Sequence, residues 1–261
     1  MKKIVLVFVL FLIFNSCIEN KNKEYKQVEN RVLKNKINPS VVSKIFDAHG
    51  GLTSWHKMKS LSFEIETSSG IERHITDLIS RQATVESDVF KLGYDGDGVW
   101  LDEKKGSYSG NPKFYYNQMF YFYAMPFIIA DDGAFYTERK DTIINRITYG
   151  VIHIGFERNI GQSPEDEYII YYNKETFQME WLGYTVTFFE GNKNTEWHYI
   201  KYASWAKKKD LLLPEKMVWY STKNNRDFEP FQTVLFFKVE ISETELNKSL
   251  FQAPEGSIYV E

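Results

Sequence analysis

Residues 61–67 read LSFEIET, and apolar side chains alternate with polar ones along this stretch. Because successive side chains of a β-strand point to opposite faces, the alternation predicts a strand with one apolar face. The same period recurs in HITDLIS (74–80), GVWLD (98–102), ITYGVIHIGF (147–156), EYIIYY (167–172) and MEWLGYTVTFF (179–189). Long helical patterns do not separate these segments, which argues against a parallel α/β sheet. We therefore predict a mainly β, antiparallel fold with about ten or eleven strands between residues 61 and 243.

The connections between these segments have the composition of tight turns. Asp95-Gly96-Asp97-Gly98 separates two short apolar runs, a pattern that favours a β-hairpin. The same residues resemble the start of a calcium loop, but the further spaced acids and the distal glutamate of such a loop do not follow. The sequence therefore predicts a hairpin turn at residues 95–98.

Two helices are predicted before the first strand. Asn38-Pro39 suits a helix start, and Gly50-Gly51 suits a left-handed helix end. Between them, Val41, Val42, Ile45 and Phe46 form an apolar stripe at helical spacing. His49, beside Gly50, is placed to bond the end of its own helix. A second short helix is expected at residues 53–58.

Residues 117–130, NQMFYFYAMPFIIA, include an uncharged run from Met119 to Ala130. This run could be a membrane span, a core helix or the wall of an apolar site. It is too short for a span, which needs about 20 residues. Pro126 would kink or end a helix. We expect one or two short helices that cover the sheet and that touch protein or a ligand on their other side.

The N-terminus has the pattern of a lipoprotein signal. Lys2 and Lys3 precede an apolar run at residues 4–14, and Ser16-Cys17 follows it, resembling a bacterial lipobox. The alternative is an ordinary signal peptide with an incidental cysteine. We predict a signal peptide at 1–16, a lipidated Cys17 with a flexible tether to residue 37, and a single domain at 38–261.

These features place the protein in the cell envelope. The residue after the cysteine is Ile18 rather than the aspartate that retains lipoproteins of some Gram-negative bacteria in the inner membrane. By resemblance to those lipoproteins, we predict lipid attachment to the outer membrane, with the leaflet undetermined. The formal net charge of −3 gives no basic footprint for nucleic acid. Aromatic residues make up 16% of the chain, which favours strands and lined cavities.

Several motifs together resemble known lipoproteins. AHGG at 48–51, Asp95-Gly96 with Val99-Trp100, and residues 121–127 resemble an uncharacterised lipoprotein family of Bacteroidota. The strand order, the same hairpin and YNKETF at 172–177 resemble, more distantly, the lipoprotein-localisation superfamily of LolA, LolB and LppX. The resemblance implies a curved antiparallel half-barrel, with helices plugging its concave face and a cavity for acyl chains.

On this basis the uncharged run would be the plug, and its aromatic side chains would face the hollow. Plain core packing is the alternative for each of these side chains. The candidate ligand-cavity residues are Phe114, Tyr116, Phe120, Tyr123, Met125 and Phe127.

Catalytic and metal motifs are weak. The five histidines have no metal-ligand spacing, and we predict no metal and no cofactor. The segment at 106–110 reads GSYSG rather than GxSxG, so Ser107 and Ser109 are better explained as a hairpin tip. The acids at 131–132 and 165–167 lie in turn-like stretches and are expected to be solvated. Separately, Asp141-Thr142-Ile143 resembles the O-glycosylation acceptor of exported Bacteroidota proteins, which makes Thr142 a candidate site.

The sequence therefore predicts a noncatalytic, lipid-anchored envelope lipoprotein that binds an acyl chain or lipid between sheet and helices. One alternative is a structural lipoprotein with a packed interior that holds an envelope protein partner. A hydrolase is a third reading, and it would need a cleft with convergent polar groups.

Overall fold

The computed structural model describes residues 39–103, 106–156, 166–188, 196–223 and 227–260. Four α-helices lie in this part of the chain: α1 (Pro39–Ala48), α2 (Leu52–Lys57), α3 (Pro112–Tyr123) and α4 (Met125–Ile128). Sheet 1 contains β1 (Ser60–Thr67), β2 (Gly70–Asp77), β3 (Ala83–Glu86), β4 (Phe90–Tyr94), β5 (Val99–Glu103), β13 (Phe237–Ser242) and β14 (Ile258–Tyr259). Sheet 2 contains β6 (Ala134–Ile144), β7 (Ile147–Phe156), β8 (Tyr168–Asn173), β9 (Met179–Tyr184), β10 (His198–Lys208), β11 (Leu211–Lys223) and β12 (Asp227–Leu235). A 3₁₀ turn at Lys248–Phe251 precedes β14.

The two antiparallel sheets are joined by one bent segment. The strand order is β13-β1-β2-β3-β4-β5-β14 in sheet 1 and β12-β11-β10-β9-β8-β7-β6 in sheet 2. Phe236 alone separates β12 from β13, which lie at the edges of different sheets. The Phe236 N–H still donates to the Glu215 carbonyl at 3.0 Å, so pairing with β11 continues up to the bend. Together the strands form a curved, open half-barrel.

The predicted mainly β, antiparallel class is confirmed, but the described residues up to 243 contain thirteen strands, β1 to β13, rather than ten or eleven, and β14 follows at the C-terminal end. β3 has four residues and β14 has two, too few for an alternating pattern to be visible. β6 was overlooked because its middle, TERKD at 137–141, is polar and largely exposed.

Both N-terminal helices are confirmed, and His49 fixes the first of them to sheet 2. His49 Nδ1 donates to the Ile45 carbonyl at 2.7 Å, and its Nε2 accepts from the Met179 N–H at 3.4 Å. Burial lowers the pKa of His49 to about 4, so the ring is neutral at pH 7. Gly50 has φ +103°, and a Cβ there would lie 2.1 Å from the Asp210 carbonyl oxygen, which requires glycine.

Helices α3 and α4 lie inside the half-barrel, and one apolar core contains side chains from them and from both sheets. Phe127 stacks on Trp55 of α2 at 4.5 Å between ring centroids. Tyr123 stacks on Phe63 of β1 at 4.7 Å, and the Tyr202 hydroxyl of β10 donates to the Phe122 carbonyl at 2.6 Å. The uncharged run therefore forms interior helices, and no helix within the described ranges is long and apolar enough to cross a membrane. The predicted signal peptide, Cys17 and tether lie outside the described residues.

Candidate functional site

Local sequence explains the shape of the α3–α4 segment. The Asn111 side chain caps α3 by accepting from the Phe114 N–H at 3.2 Å, and Pro112 takes the first helical position. Pro126 cannot donate a backbone hydrogen bond, and α3 ends at Tyr123, with Ala124 as the cap residue between it and α4. The two helices are thus consecutive, with a break at Ala124, and they lie between the sheets.

The side of α3 that faces sheet 1 is closely packed. The Tyr115 hydroxyl donates to Glu72 Oε2 at 2.5 Å, and Thr67 Oγ1 donates to Glu72 Oε1 at 3.1 Å. Tyr116 packs against Tyr94 of β4 with ring centroids 5.4 Å apart. His74 lies behind this contact, with its Nε2 atom 3.6 Å from Glu72 Oε2, beyond hydrogen-bond distance.

The side that faces sheet 2 borders a cavity of about 160 Å³. The helices and the segment after them contribute Phe114, Asn117, Gln118, Tyr121, Phe122, Met125, Ile128, Asp131 and Asp132. Sheet 2 and the ends of its strands contribute Phe156, Asp166, Tyr168, Tyr184, Thr185, Val186 and Phe188. An engineered apolar cavity of about 150 Å³ binds benzene, so this space suits one ring or a short hydrocarbon segment.

Asp131 is an ion-paired member of the lining. Both of its carboxylate oxygens lie 2.9 Å from the same guanidinium nitrogen of Arg81. The Arg81 guanidinium also lies 5.3 Å from the centre of the Phe120 ring. Burial raises the pKa of Asp131, although the positive charge of Arg81 opposes that shift. The pair joins the β2–β3 turn to the end of the helical segment.

Asp166 has a different environment. Its Oδ1 atom accepts from both the N–H and the hydroxyl of Thr187, each at 2.7 Å. Burial raises the pKa of Asp166, and these hydrogen bonds only oppose the rise. Burial also raises the pKa of Tyr168, and the Asp166 carboxylate adds to that rise, so Tyr168 stays a neutral phenol at pH 7. A partly desolvated carboxylate therefore borders the aromatic wall.

The candidate cavity residues divide between the two sides of the helices. Phe114 and Met125 line the cavity. Tyr116 belongs to a separate apolar cluster on sheet 1, Tyr123 packs between Phe63 and Phe236, Phe127 packs on Trp55, and Phe120 faces Arg81. The reason is helical periodicity, because positions 116, 120 and 123 share one face of α3, and 114, 117, 118 and 121 share another.

Sequence reasoning missed the sheet 2 wall and the acids. Alternation assigned Tyr168 and Tyr184 to strands, but it could not show which strand ends meet α3. The expectation that residues 131–132 are simply solvated turn acids is wrong for Asp131, which is half-buried and paired with Arg81. Asp132 is exposed, as expected. The sequence feature that could have indicated this burial is the position of Asp131 directly after the uncharged run. Glu165 lies outside the described residues.

The DGDG segment forms the predicted hairpin turn. Asp95 Oδ1 accepts from the N–H groups of Asp97 and Gly98 at 3.0 and 2.9 Å. Its Oδ2 atom accepts from the Tyr259 hydroxyl at 2.6 Å. Both carboxylate oxygens thus bond within the turn and to β14, which explains the aspartate without an ion.

The remaining polar candidates lie apart from the cavity lining. Ser107 Oγ donates to the Val89 carbonyl at 2.9 Å, and Ser109 is exposed. Thr142 pairs with Tyr149 in the β6–β7 hairpin and is partly exposed. Within the described ranges, no three His, Cys, Asp or Glu side chains are grouped so that they could hold a metal ion.

The chain is similar in fold to solved bacterial proteins at low sequence identity. One is a DUF1329 family protein from Desulfovibrio piger, with 13% identity, a TM-score of 0.46, and coverage of 81% of this chain and 97% of that one. Another is a LolA superfamily protein from Nitrosomonas europaea, with 8% identity, a TM-score of 0.44, and coverage of 75% and 89%. The LolA superfamily is the one that the sequence motifs resemble.

No protein-family model and no curated protein matches the chain.

Proposed function

We propose that this protein is a noncatalytic envelope lipoprotein that holds the apolar part of a small amphiphile in the cavity between α3–α4 and sheet 2. The observation that carries this proposal is the cavity of about 160 Å³, with aromatic and aliphatic side chains on both of its walls. Ligand sites in proteins have this composition, an apolar lining with a few polar groups at its border.

The packing explains why the cavity is retained. Contacts with sheet 1, such as Tyr115 with Glu72, hold α3 on one side. At the other end of α3, the Tyr202 hydroxyl ties the Phe122 carbonyl to sheet 2. With both ends fixed, α3 cannot collapse onto sheet 2 without breaking hydrogen bonds. A hydrocarbon segment that fills the space would gain about 0.8 kcal/mol per buried CH₂ group.

The test is ligand binding by residues 18–261, which include every described residue. Native mass spectrometry would detect co-purified amphiphiles, and N-phenyl-1-naphthylamine would report on apolar binding by its fluorescence. Val186→Trp places an indole in the cavity lining and should weaken probe binding by about tenfold or more. Val89→Trp is the matched control, because Val89 is also half-buried but packs on sheet 1. The absence of both co-purified ligand and probe binding would contradict the proposal.

Envelope attachment is the second part of the proposal, and it rests on the N-terminal sequence. The apolar run at 4–14 and the single cysteine at position 17 support lipidation at Cys17. Radiolabelled palmitate should be incorporated into the wild-type chain and not into Cys17→Ala. Equal labelling of the two chains would contradict a lipid anchor at this residue.

A structural role, in which the protein holds an envelope partner, is the second candidate function. It is favoured by β12, which lies at one edge of sheet 2 and exposes Phe231 and Leu235 by 64% and 52%. A protein partner that covers these two side chains would remove their apolar surface from water. Crosslinking in cells from position 231 should then give one stoichiometric protein adduct, with position 143 of β6 as the control.

A further inference from the structure

Every charged side chain that the structure places in the cavity lining is acidic. Asp131, Asp132 and Asp166 line it, and within the described ranges no lysine, arginine or histidine does so. The nearby cation Arg81 is bonded to Asp131 through both carboxylate oxygens, so those two charges offset each other. The remaining negative charge comes from Asp132 and Asp166.

Asp166 is the carboxylate best placed to meet a ligand. Its Oδ1 atom accepts two hydrogen bonds from Thr187, whereas no described residue donates to Oδ2. The aromatic side chains of Tyr168, Phe156 and Tyr184 share the same lining. A carboxylate oxygen at the border of an apolar space is stabilised by a cationic hydrogen-bond donor and destabilised by a second anion.

We infer that the cavity selects amphiphiles whose polar end is a primary ammonium group and disfavours carboxylates of the same chain length. The inference rests on the proposed function, because it specifies the ligand class of the same cavity. The apolar chain would lie between Phe122 and Tyr168, and the ammonium would donate to Asp166 Oδ2. Asn117 and Gln118 supply neutral amide groups nearby, which fit either the ammonium or a linked hydroxyl.

The test compares octylammonium, 1-octanol and octanoate by isothermal titration calorimetry at pH 7, with residues 18–261. Octylammonium should bind about tenfold more tightly than octanoate, and octanol should lie between them. Asp166→Asn should weaken octylammonium binding about fivefold and leave octanol unchanged. Asp47→Asn removes the same charge from an exposed position on α1 and should change none of the three affinities.

The outcomes separate the two proposals. If none of the three ligands binds, both the proposed function and this inference fail. If octanol binds but octanoate equals or exceeds octylammonium, or if Asp166→Asn leaves octylammonium binding unchanged, the charge preference fails and the apolar site remains. If octylammonium is preferred as expected, short-chain lipids identify the natural source of the ammonium. Preference for dihexanoylphosphatidylethanolamine over dihexanoylphosphatidylglycerol assigns it to a lipid headgroup, and binding of octylammonium alone assigns it to a free amine.

Discussion

On the side that faces sheet 1, α3 is held by stacked rings and by a hydrogen bond to a buried glutamate, whereas on the side that faces sheet 2 it borders a cavity. Both sides are largely aromatic, so hydrophobicity does not distinguish them. The difference lies in the polar groups, because Glu72 fixes the position of α3 through Tyr115, whereas the hydrogen bond that Tyr202 of sheet 2 donates reaches the C-terminal end of α3. A buried polar contact of this kind specifies position more strictly than apolar packing does.

The largest effect on stability is expected from removing the hydrogen bonds on the sheet 1 side of α3. Glu72 is only 4% exposed and accepts from Tyr115 and Thr67, so Glu72→Ala leaves both hydroxyls without that acceptor. The free energy of unfolding should fall by about 3 kcal/mol, as measured by urea denaturation. Glu66→Ala, at an exposed position of β1, is the control and should cost less than about 0.5 kcal/mol. A cost below about 1 kcal/mol for Glu72→Ala would show that the network does not hold α3.

A smaller effect is expected at the hydrogen bond that Tyr202 of sheet 2 donates to the end of α3. Tyr202→Phe removes the buried donor to the Phe122 carbonyl and should lower the free energy of unfolding by about 1 to 2 kcal/mol. Tyr94→Phe removes the same kind of bond, from its hydroxyl to the Gly96 carbonyl at 2.7 Å, but this bond is exposed to solvent. Denaturant unfolding should show a smaller cost for this control. Equal losses for Tyr202→Phe and Tyr94→Phe would mean that burial does not strengthen the contribution of the Tyr202 hydrogen bond to stability.

The two sides of α3 should also respond to acid in opposite directions. On the sheet 1 side, burial lowers the pKa of His74, and hydrogen bonds lower the pKa of Glu72 although burial opposes them. The unfolded chain therefore takes up protons first, and stability is lost as the pH falls, from about 6.5 for His74 and from about 4.5 for Glu72. Urea unfolding of Glu72→Gln should show a weaker loss of stability below pH 4.5 than the wild type. Identical slopes would contradict this assignment.

The smallest effect is expected from Asp166 on the sheet 2 side. Its folded pKa is raised, so the folded chain takes up protons first and gains stability as the pH falls through the raised value towards about 3.8. The free energy of unfolding of Asp166→Asn should therefore exceed that of the wild type at pH 7. The gain should be only about a few tenths of a kcal/mol, because Asp166 is partly solvated. The difference should shrink as the pH falls to 4. The variant is compared with the wild type at each pH because His49, whose pKa is lowered to about 4, changes the stability of both proteins as the pH falls.

The sequence predicted strand faces well and the cavity poorly, for a physical reason. Alternation in residues 61–67 depends on local geometry alone, and Leu61, Phe63 and Ile65 are each at most 2% exposed. The uncharged run at 119–130 is apolar on every side, so periodicity gave no preferred face for Phe120 or Met125. Which side of α3 is packed is decided by Glu72, far away in the chain. The Arg81–Asp131 pair likewise joins residues that no local pattern connects.

The connection between β12 and β13 at Phe236 has a consequence for how the protein folds. The register of β13 against β1 sets Ser242 opposite Ser60, so this edge of sheet 1 is formed by two segments that are far apart in sequence. A chain truncated before residue 237 would keep an unpaired β1 edge, and such an edge recruits other strands and aggregates. Pairing of β1 with β13 thus brings together residues that are far apart in the chain, and contacts so distant in sequence form slowly.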